Sequence, residues 1–292
     1  MDVSIIIVNY NTGKLILNLL ASIRKYVSDI TYEIIVVDNN SSENISELLL
    51  PYQNEVRCIL LPENVGFGRA NNKALEYATG RYIFFLNPDT LLLNNAVKIL
   101  SDFMDNNPKV GVCGGNLYDE KMCPIHSFMP ILPSPLWDLN TLLGEQLFKL
   151  RYGKNIQHNY TDHPIQVGYV TGADMLVRRE VLDQVGAFDP DFFMYFEETE
   201  LTHRIVKAGW KVYAVPDAKI IHLEGQSFET SDRRQQMVSK SKKIYYQKTS
   251  TMFAYHVAKV FFTLSALMRI GVFTLIGNQQ KRAYWATIYK NI

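Results

Sequence analysis

The segment YIFFLNPDT, Tyr82–Thr90, sets the fold class expected for this chain. Its apolar and aromatic first part, Tyr82–Leu86, predicts a buried β-strand. That strand runs directly into Asn87, Pro88 and Asp89, and the proline restricts the backbone of the residue before it to an extended conformation. The segment therefore predicts a core strand with a carboxylate held rigidly just past its carboxyl end.

Segments of the same kind alternate with helical ones along the first part of the chain. Strands are predicted in VSIIIVNYN, YEIIVVDNN and EVRCILLPEN, and helices in LILNLLASIRKY, GFGRANNKALEYATG and NNAVKILSDFMDNNP. Alternation with short connections predicts an α/β fold with a mostly parallel central sheet and helices on both faces.

The second part of the chain is less regular. From Val110 to Tyr160 prolines interrupt the pattern, and we interpret this region as a substrate-facing insertion or mobile loop, with a helix over Leu136–Leu150. Order returns at Val167 with a strand, a Gly-Ala turn and a helix, and then two strands in KVYAVP and AKIIHLEG. We predict a catalytic domain over 1–238, divided into a nucleotide-binding half, 1–110, and an acceptor half, 111–238. A helical tail follows over 239–292.

Composition excludes several classes of protein. The 292 residues are 47% hydrophobic and 20% charged, which is ordinary for a globular protein. A net charge of +1 argues against a nucleic-acid binder. Three cysteines without a CxxC pair predict neither a disulfide framework nor a structural zinc site, which fits a reducing cytoplasm. The start of the chain has no basic segment before its short apolar run, so no signal peptide is expected.

Polar residues follow several of the predicted strands. In a parallel sheet a ligand binds outside the carboxyl ends of the strands, so Asn9, Asp38 and Asp89 should converge on one crevice. Each aspartate has a simpler reading, as a turn residue or helix cap. GFGRAN lacks the third glycine of a dinucleotide fingerprint because Asn71 stands there, although a helix N-terminus still suits a nucleotide.

Two groups of residues could carry chemistry. A divalent cation on a diphosphate needs one or two carboxylates, so Asp89 is a candidate ligand and His222 could complete the site. YFEETEL places Glu197, Glu198 and Glu200 behind a run of aromatic residues, and burial there would raise their pKa and suit a general base. A structural histidine and a solvated helix start are the simpler readings.

Taken together, these motifs resemble one family. VSIIIVNYNT, VVDNNSSEN, NVGFGRANNKAL, FLNPDT, TGADMLVRREVLDQVGAFDPDFFMYFEETEL and IIHLEGQS occur in the order found in inverting family 2 glycosyltransferases of GT-A fold. The chain is most similar to their rhamnosyltransferase-like bacterial branch, from Val3 to about Ser227. The resemblance implies single-displacement transfer of a sugar, first of all L-rhamnose, from a nucleotide-diphospho-sugar to a hydroxyl of a glycan acceptor in surface polysaccharide synthesis.

The resemblance also implies residue roles on the donor side. Asn9 and Asp38 would hold the nucleoside, with Asp38 against a pyrimidine base, and Asn71 would line the nucleotide pocket. Asn87-Pro88-Asp89 stands in place of the family's Asp-x-Asp motif, with Asn87 where the first aspartate is usual. Asp89 and His222 would then bind Mg²⁺ or Mn²⁺.

On the acceptor side, the implied base is the second acid of the Glu197-Glu198 pair, namely Glu198, with Glu197 as the second candidate. Gly172, Ala173 and Asp174 would line the donor sugar and acceptor site. The expected donor is dTDP-rhamnose or a UDP-sugar, and the acceptor a glycan, free or linked to polyprenyl diphosphate.

The tail is basic, then apolar, then basic and aromatic. Val260–Ile276 is slightly short for a membrane span and contains Arg269. We predict one or two amphipathic helices in the membrane interface, on the inner face of the cell membrane. Packing on the catalytic domain, or on a second subunit in a homodimer, is the alternative.

Three other functions compete with glycosyl transfer. A sugar nucleotidyltransferase would need a glycine-rich N-terminal loop with Arg and Lys, which NYNTGK does not provide. A non-catalytic nucleotide-sugar-binding scaffold would not need the acid pair. A NAD-dependent enzyme is disfavoured by the incomplete glycine motif.

Overall fold

A computed structural model describes residues 1–223 and 231–292 of the chain. The strands are β1 Val3–Asn9, β2 Tyr32–Asp38, β3 Val56–Leu60, β4 Tyr82–Leu86, β5 Thr90–Leu92, β6 Val110–Tyr118, β7 Phe128–Met129, β8 Ile165–Gln166, β9 Tyr169–Val170, β10 Asp174–Arg178 and β11 Lys211–His222. The helices are α1 Gly13–Tyr26, α2 Ile45–Leu48, α3 Phe67–Leu75, α4 Ala96–Asn106, α5 Pro135–Leu142, α6 Gln146–Tyr152, α7 Arg179–Val185, α8 Glu197–Lys207, α9 Ser231–Thr249, α10 Met252–Leu275 and α11 Gln279–Lys290, with a 3₁₀ turn at Leu50–Tyr52.

The main sheet has nine strands in the order β3-β2-β1-β4-β10-β6-β11-β5, with β8 paired to β11. Strands β1 to β4 are mutually parallel, as the alternation of strands and helices predicts. The second half is mixed, because β10 runs antiparallel to both β4 and β6, while β6 and β11 are parallel. The predicted α/β class is confirmed, with a parallel first half of the sheet and a mixed second half beside it.

The core lies on both faces of the sheet. Successive side chains of a strand point to opposite faces, and all of β1 is buried. Ile5 packs in one apolar layer with α1 and α4, whereas Ile6 packs in the other with α3, α7 and α8. Burying each such side chain contributes about 1.5–3 kcal/mol, which explains why the strands read as continuous apolar runs.

The interpretation of Val110–Tyr160 as an insertion or loop was wrong for its first part. Val110–Tyr118 is β6, a buried strand in the middle of the sheet. Its glycines interrupt the run of large apolar residues that would predict a strand. The packing requires them, since a Cβ at Gly115 would lie 2.5 Å from the carbonyl oxygen of Ala218. The predicted helix Leu136–Leu150 is two helices, α5 and α6, separated by the left-handed residues Gly144 and Glu145.

The two late strands predicted in KVYAVP and AKIIHLEG are one strand, β11, with an irregular register between Ala214 and Lys219. Of the segment IIHLEGQS, residues 224–227 lie outside the described part of the chain.

The C-terminal helices pack on the α/β domain. Helix α9 begins at Ser231 and continues across position 239, and α10 lies against α5 and α11. Arg269 donates a 2.9 Å hydrogen bond to the carbonyl oxygen of Thr141 in α5, and Lys242 of α9 pairs with Asp138 at 2.5 Å. Within the described residues, α10 is the one helix long and apolar enough to cross a membrane, and most of its surface is exposed.

Candidate active site

Asn9 and Asp38 meet at the ends of two neighbouring strands. They are register partners in β1 and β2, and Nδ2 of Asn9 donates a 2.7 Å hydrogen bond to Oδ1 of Asp38. The other carboxylate oxygen accepts from the backbone N–H of Ser41 at 3.1 Å. Oδ1 of Asn9 accepts from the Thr12 N–H, and Asn9 is fully buried. Asn9 thus lies behind Asp38 and orients it.

Glu43 lies beside Asn9 at the same end of β1. It was not selected as a site residue from the sequence. Its Oε1 accepts a 2.7 Å hydrogen bond from the Gly13 N–H at the start of α1, and Nδ2 of Asn9 lies 3.3 Å from the same oxygen. A carboxylate at a helix N-terminus is favoured by the helix dipole. The feature of the sequence that could have identified Glu43 is its position in the SSEN turn that follows Asp38.

Asn71 does not point into an open pocket. It lies inside α3, is almost fully buried, and donates from Nδ2 to the carbonyl oxygen of Phe67 at 3.0 Å. The glycines before it allow close packing instead, because a Cβ at Gly66 would lie 2.4 Å from the carbonyl oxygen of Phe193. The start of α3 therefore docks on the aromatic run before the acid pair.

Asp89 and His222 form a close pair at the end of β4. Nε2 of His222 lies 3.3 Å from Oδ1 of Asp89, and each side chain is 14% exposed. Strand pairing produces this contact, because His222 is the register partner of Thr90 in β5, and the Leu223 N–H donates to the Asp89 carbonyl at 2.9 Å. Nδ1 of His222 is buried and has no hydrogen-bond partner among residues 1–223 and 231–292.

The Asp89–His222 pair fits a divalent cation that is shared with a diphosphate. A carboxylate oxygen and an imidazole nitrogen are both metal ligands, and Mg²⁺ in nucleotide sites commonly takes only one or two carboxylates from the protein. No set of three or more His, Cys, Asp or Glu side chains suited to a metal occurs in the parts of the chain that the structure describes. The remaining positions would fall to phosphate oxygens and water.

Three buried polar atoms lie at the adjoining ends of β4 and β10 and have no hydrogen-bond partner. They are Oδ1 of Asn87, Oγ1 of Thr171 and Oδ1 of Asp174. The two strand ends are joined by a 2.9 Å hydrogen bond from the Asn87 N–H to the Ala173 carbonyl. Leaving a buried polar group unpaired costs about 1–3 kcal/mol, so the group of three indicates a place where polar ligand atoms bind.

Asp174, which the resemblance assigns to the lining of the donor sugar and acceptor site, has no exposed surface. It is fully buried in β10, where Oδ2 accepts a 2.5 Å hydrogen bond from the Gly115 N–H. Burial raises its pKa well above the usual range of an aspartate, and the hydrogen bond from the Gly115 N–H offsets only part of this rise. Burial therefore favours the protonated form of Asp174 at the end of the strand.

The acid pair begins α8, and its two members have different surroundings. Glu197 is buried, with Oε2 unpaired, whereas Glu198 is half-buried and its Oε1 accepts a 2.9 Å hydrogen bond from the Thr199 hydroxyl. Burial raises the pKa of both carboxyls, and Glu198 raises that of Glu197 further. Glu198 is next to Gly172. A Cβ added at Gly172 would lie 3.6 Å from the Cβ and Cγ atoms of Glu198. Of the two, Glu198 is the one placed to meet a substrate.

Glu200 has a structural role in α8 and the loop before it. Its carboxylate forms an ion pair with Arg204 one turn along α8, at 2.8 Å. The same guanidinium donates to the carbonyl oxygens of Val185 and Ala187, which fixes the loop before α8. The solvated helix start, considered as the simpler reading of YFEETEL, does not describe this buried arrangement.

His126 is a site residue that the sequence gave no reason to select. Its Nε2 is buried without a hydrogen-bond partner. Burial, with a smaller contribution from the proximity of His222, lowers the pKa of His126 to about 4. His126 therefore lies near His222 of the Asp89–His222 pair. A lone histidine in the irregular segment carries no motif, so only the tertiary structure reveals it.

Comparison with known proteins agrees with this fold. The family model for glycosyl transferase family 2 matches residues 4–186, more than half of the chain. The chain therefore belongs to glycosyltransferase family 2 and is a glycosyltransferase.

Two curated relatives and one solved structure show its neighbours. The chain is 25% identical over 244 residues to N-acetylglucosaminyl-diphospho-decaprenol L-rhamnosyltransferase of Mycobacterium tuberculosis, over 76% of each chain. It is 25% identical over 223 residues to dTDP-rhamnosyl transferase RfbF of Shigella flexneri, covering 75% of this chain and 68% of the relative. The mannosyltransferase PcManGT of Pyrobaculum calidifontis, solved with GDP-Man and Mn²⁺, superposes with a TM-score of 0.61 at 16% identity, over 98% of this chain and 78% of that one. The last comparison confirms the GT-A type of fold.

Proposed function

We propose that this glycosyltransferase moves L-rhamnose from dTDP-L-rhamnose to a hydroxyl of a polyprenyl-diphosphate-linked glycan, with inversion at the anomeric carbon. The observation that carries the proposal is a series of contacts that leads from the general base, Glu198, to Asp89 of the Asp89–His222 pair. Glu198 packs against Gly172, the next residue Ala173 binds the Asn87 N–H, and Asn87 opens the turn that holds Asp89. The activities for which the two relatives are named support rhamnose, dTDP and the lipid-linked acceptor.

Donor binding is assigned to the edge formed by β1, β2, β4 and β10. Asp38, oriented by Asn9, accepts hydrogen bonds from the pyrimidine base. The unpaired atoms of Asn87, Thr171 and Asp174 receive the hydroxyl groups of the sugar. In its protonated form, which burial favours, Asp174 also donates a hydrogen bond there.

Asp89 and His222 hold Mg²⁺ or Mn²⁺ against the diphosphate of the donor. When bound, the cation neutralises the charge that develops on the departing nucleoside diphosphate. His126, close to this pair and with an unpaired Nε2, donates or accepts a hydrogen bond at the same end of the crevice.

Glu198 acts as the general base. Its carboxylate takes the proton of the acceptor hydroxyl, whose oxygen forms the new bond to the anomeric carbon as the bond to the diphosphate breaks. Burial raises the pKa of Glu198 above the usual range of a glutamate, which makes its carboxylate a stronger base. One displacement suffices, so no covalent sugar–enzyme intermediate forms.

Because the proposed acceptor is linked to a membrane lipid, it accounts for the exposed apolar surface of α10. Val260, Leu264 and Leu267 are about half exposed, and Leu275 is 89% exposed. Exposed lysines and arginines at 259, 281 and 282 flank this surface. An apolar helix face with basic neighbours suits the interface of an anionic membrane, so we place the protein on the inner face of the cell membrane.

The test is a donor panel measured by thermal unfolding of the full chain, with and without Mn²⁺ or Mg²⁺. A ligand that binds only the folded state raises the midpoint by mass action. A metal-dependent rise with dTDP-L-rhamnose, followed by transfer to a synthetic polyprenyl-diphosphate-linked acceptor, is the expected result. A rise without transfer to any glycan acceptor would favour the nucleotide-sugar-binding scaffold and overturn the assigned reaction.

A further inference from the structure

The loop Asp189–Phe196, just before the acid pair, has a backbone that needs support. Tyr195 and Phe196 have φ values of 70° and 68°, in the left-handed region that residues with a Cβ avoid. Each such residue costs about 1–3 kcal/mol and persists only where its surroundings impose it. Phe196 is the N-cap of α8, so these two residues set the direction in which Glu198 leaves the loop.

Helix α3 supports one side of the loop. The Phe67 N–H donates a 2.9 Å hydrogen bond to the Phe193 carbonyl, and Nε of Arg69 donates to the Pro190 carbonyl at 2.8 Å. This support comes from the nucleotide-binding half. These contacts from α3 reach the loop at Pro190 and Phe193. Other contacts, from α9, reach the two left-handed residues.

Helix α9 supports the other side, at those residues. The Ser241 hydroxyl donates a 2.8 Å hydrogen bond to the Met194 carbonyl. The Tyr245 ring packs against Phe196, with centroids 5.7 Å apart, and is itself 1% exposed. The Arg234 guanidinium lies 5.8 Å from the centre of the Tyr195 ring.

Lys248 fixes the beginning of the same loop. Its Nζ lies 2.8 Å from Oδ2 of Asp189 and 2.7 Å from Oδ2 of Asp191. Positions 234, 241, 245 and 248 are separated by seven, four and three residues, so they share one face of α9. One helix face from the C-terminal region therefore spans the whole loop.

We propose that α9 is the positioning element for the catalytic base, with Ser241, Tyr245 and Lys248 as its positioning residues. This inference rests on the proposed role of Glu198. In the part of the chain that the structure describes, no hydrogen bond, ion pair or ring contact joins α9 to the donor-side residues Asn9, Asp38, Asp89 and His222. Weakening α9 should therefore lower kcat and leave donor binding unchanged.

The first test compares Tyr245→Leu with Tyr245→Phe in the full-length enzyme. Displacing a catalytic group by about 1 Å can cost ~10²-fold in rate, so Tyr245→Leu should lower kcat about tenfold or more. Tyr245→Phe keeps the ring and should retain most of the rate. The metal-dependent midpoint shift with donor should be the same in both. A loss of donor binding equal to the loss of kcat would overturn the inference.

A double-mutant cycle separates positioning from general damage. If Tyr245 acts through Glu198, Tyr245→Leu should have little further effect on the residual rate of the Glu198→Gln enzyme. If the two losses multiply, Tyr245 does not act through the base. Ser241→Ala and Lys248→Met serve in the same cycle should Tyr245→Leu not fold.

Hydrogen exchange gives a readout that does not need activity. Lys248→Met should speed amide exchange in residues 189–196, and Lys243→Met, an exposed lysine on the same helix, should not. Equal exchange in both variants would show that α9 does not hold the loop, whatever the reaction is. Faster exchange in an enzyme that transfers no sugar would instead count against the proposed function alone.

Discussion

Nε2 of His222 lies 3.3 Å from Oδ1 of Asp89, although one residue closes the last strand of the sheet and the other follows the fourth. The contact exists because β11 returns to pair with β5, the short strand that starts next to Asp89. A sheet edge has thus assembled a candidate metal site from two segments that are distant in sequence.

Replacing either partner should weaken metal-dependent donor binding. Asp89→Ala removes the carboxylate, and His222→Ala the imidazole. Since loss of even outer-shell support costs about 10–100-fold in metal affinity, each variant should lose at least about tenfold. Titration of Mn²⁺ against the thermal midpoint in the presence of donor measures this.

His163→Ala is the matched control for the histidine variant, because the His163 side chain is 67% exposed and, among the described residues, hydrogen-bonds only to its neighbour Asp162. A metal titration for Asp89→Ala that matches the wild type would remove Asp89 from the site.

Glu198→Gln should abolish most of the transfer. General bases contribute about 10²–10⁴-fold, so kcat should fall by that factor, while the donor-induced midpoint shift stays unchanged. Quenched-flow or radiolabel transfer assays measure the rate. Glu197→Gln should cost less, since Glu197 is buried away from the crevice. The opposite ranking would make Glu197 the base.

Thr199→Val should move the pH profile of kcat. The Thr199 hydroxyl donates to Oε1 of Glu198 and lowers its pKa, against the stronger effect of burial. Valine has a similar volume without this donor, so the pKa of Glu198 should rise. A base works only when deprotonated, and the acid limb should therefore shift to higher pH. An unchanged limb, in an enzyme of normal stability, would argue against Glu198 as the titrating group.

Gly66→Ala should destabilise the protein more than Gly209→Ala. Both glycines have left-handed φ values, 88° and 94°, so both variants carry backbone strain of about 1–2 kcal/mol. Only at Gly66 would the new Cβ collide with backbone, 2.4 Å from the Phe193 carbonyl oxygen, while nothing lies within 4 Å of it at Gly209. Urea unfolding measures the difference, and equal losses would show that α3 does not dock tightly on the loop.

Membrane binding should depend on the exposed face of α10. Leu264→Ser with Leu275→Ser removes two exposed leucines, and burying a leucine is worth about 1.5–3 kcal/mol, so partition into anionic vesicles should fall at least about tenfold. Leu50→Ser with Leu60→Ser, at exposed positions outside the C-terminal helices, is the matched control. Vesicle co-sedimentation measures both, and equal binding would leave α10 without a membrane role.

The sequence by itself determined the strands of the nucleotide-binding half and the carboxylates at their ends. Val3–Asn9, Tyr32–Asp38 and Tyr82–Leu86 are local apolar runs, and burial on both sheet faces leaves them no other role. It also pointed to Asp89 and to the acid pair, because each follows an apolar or aromatic run within a few residues.

Tertiary structure alone decided the rest, because it depends on contacts between distant segments. It placed the glycine-containing β6 in the core, turned Asn9 and Asn71 inward, and buried Asp174, which raises its pKa. It also brought His126 near the Asp89–His222 pair and α9 to the loop before Glu198. No local pattern encodes such contacts, since packing across the sheet, and not the neighbours in sequence, fixes which polar groups are paired and which remain for a ligand.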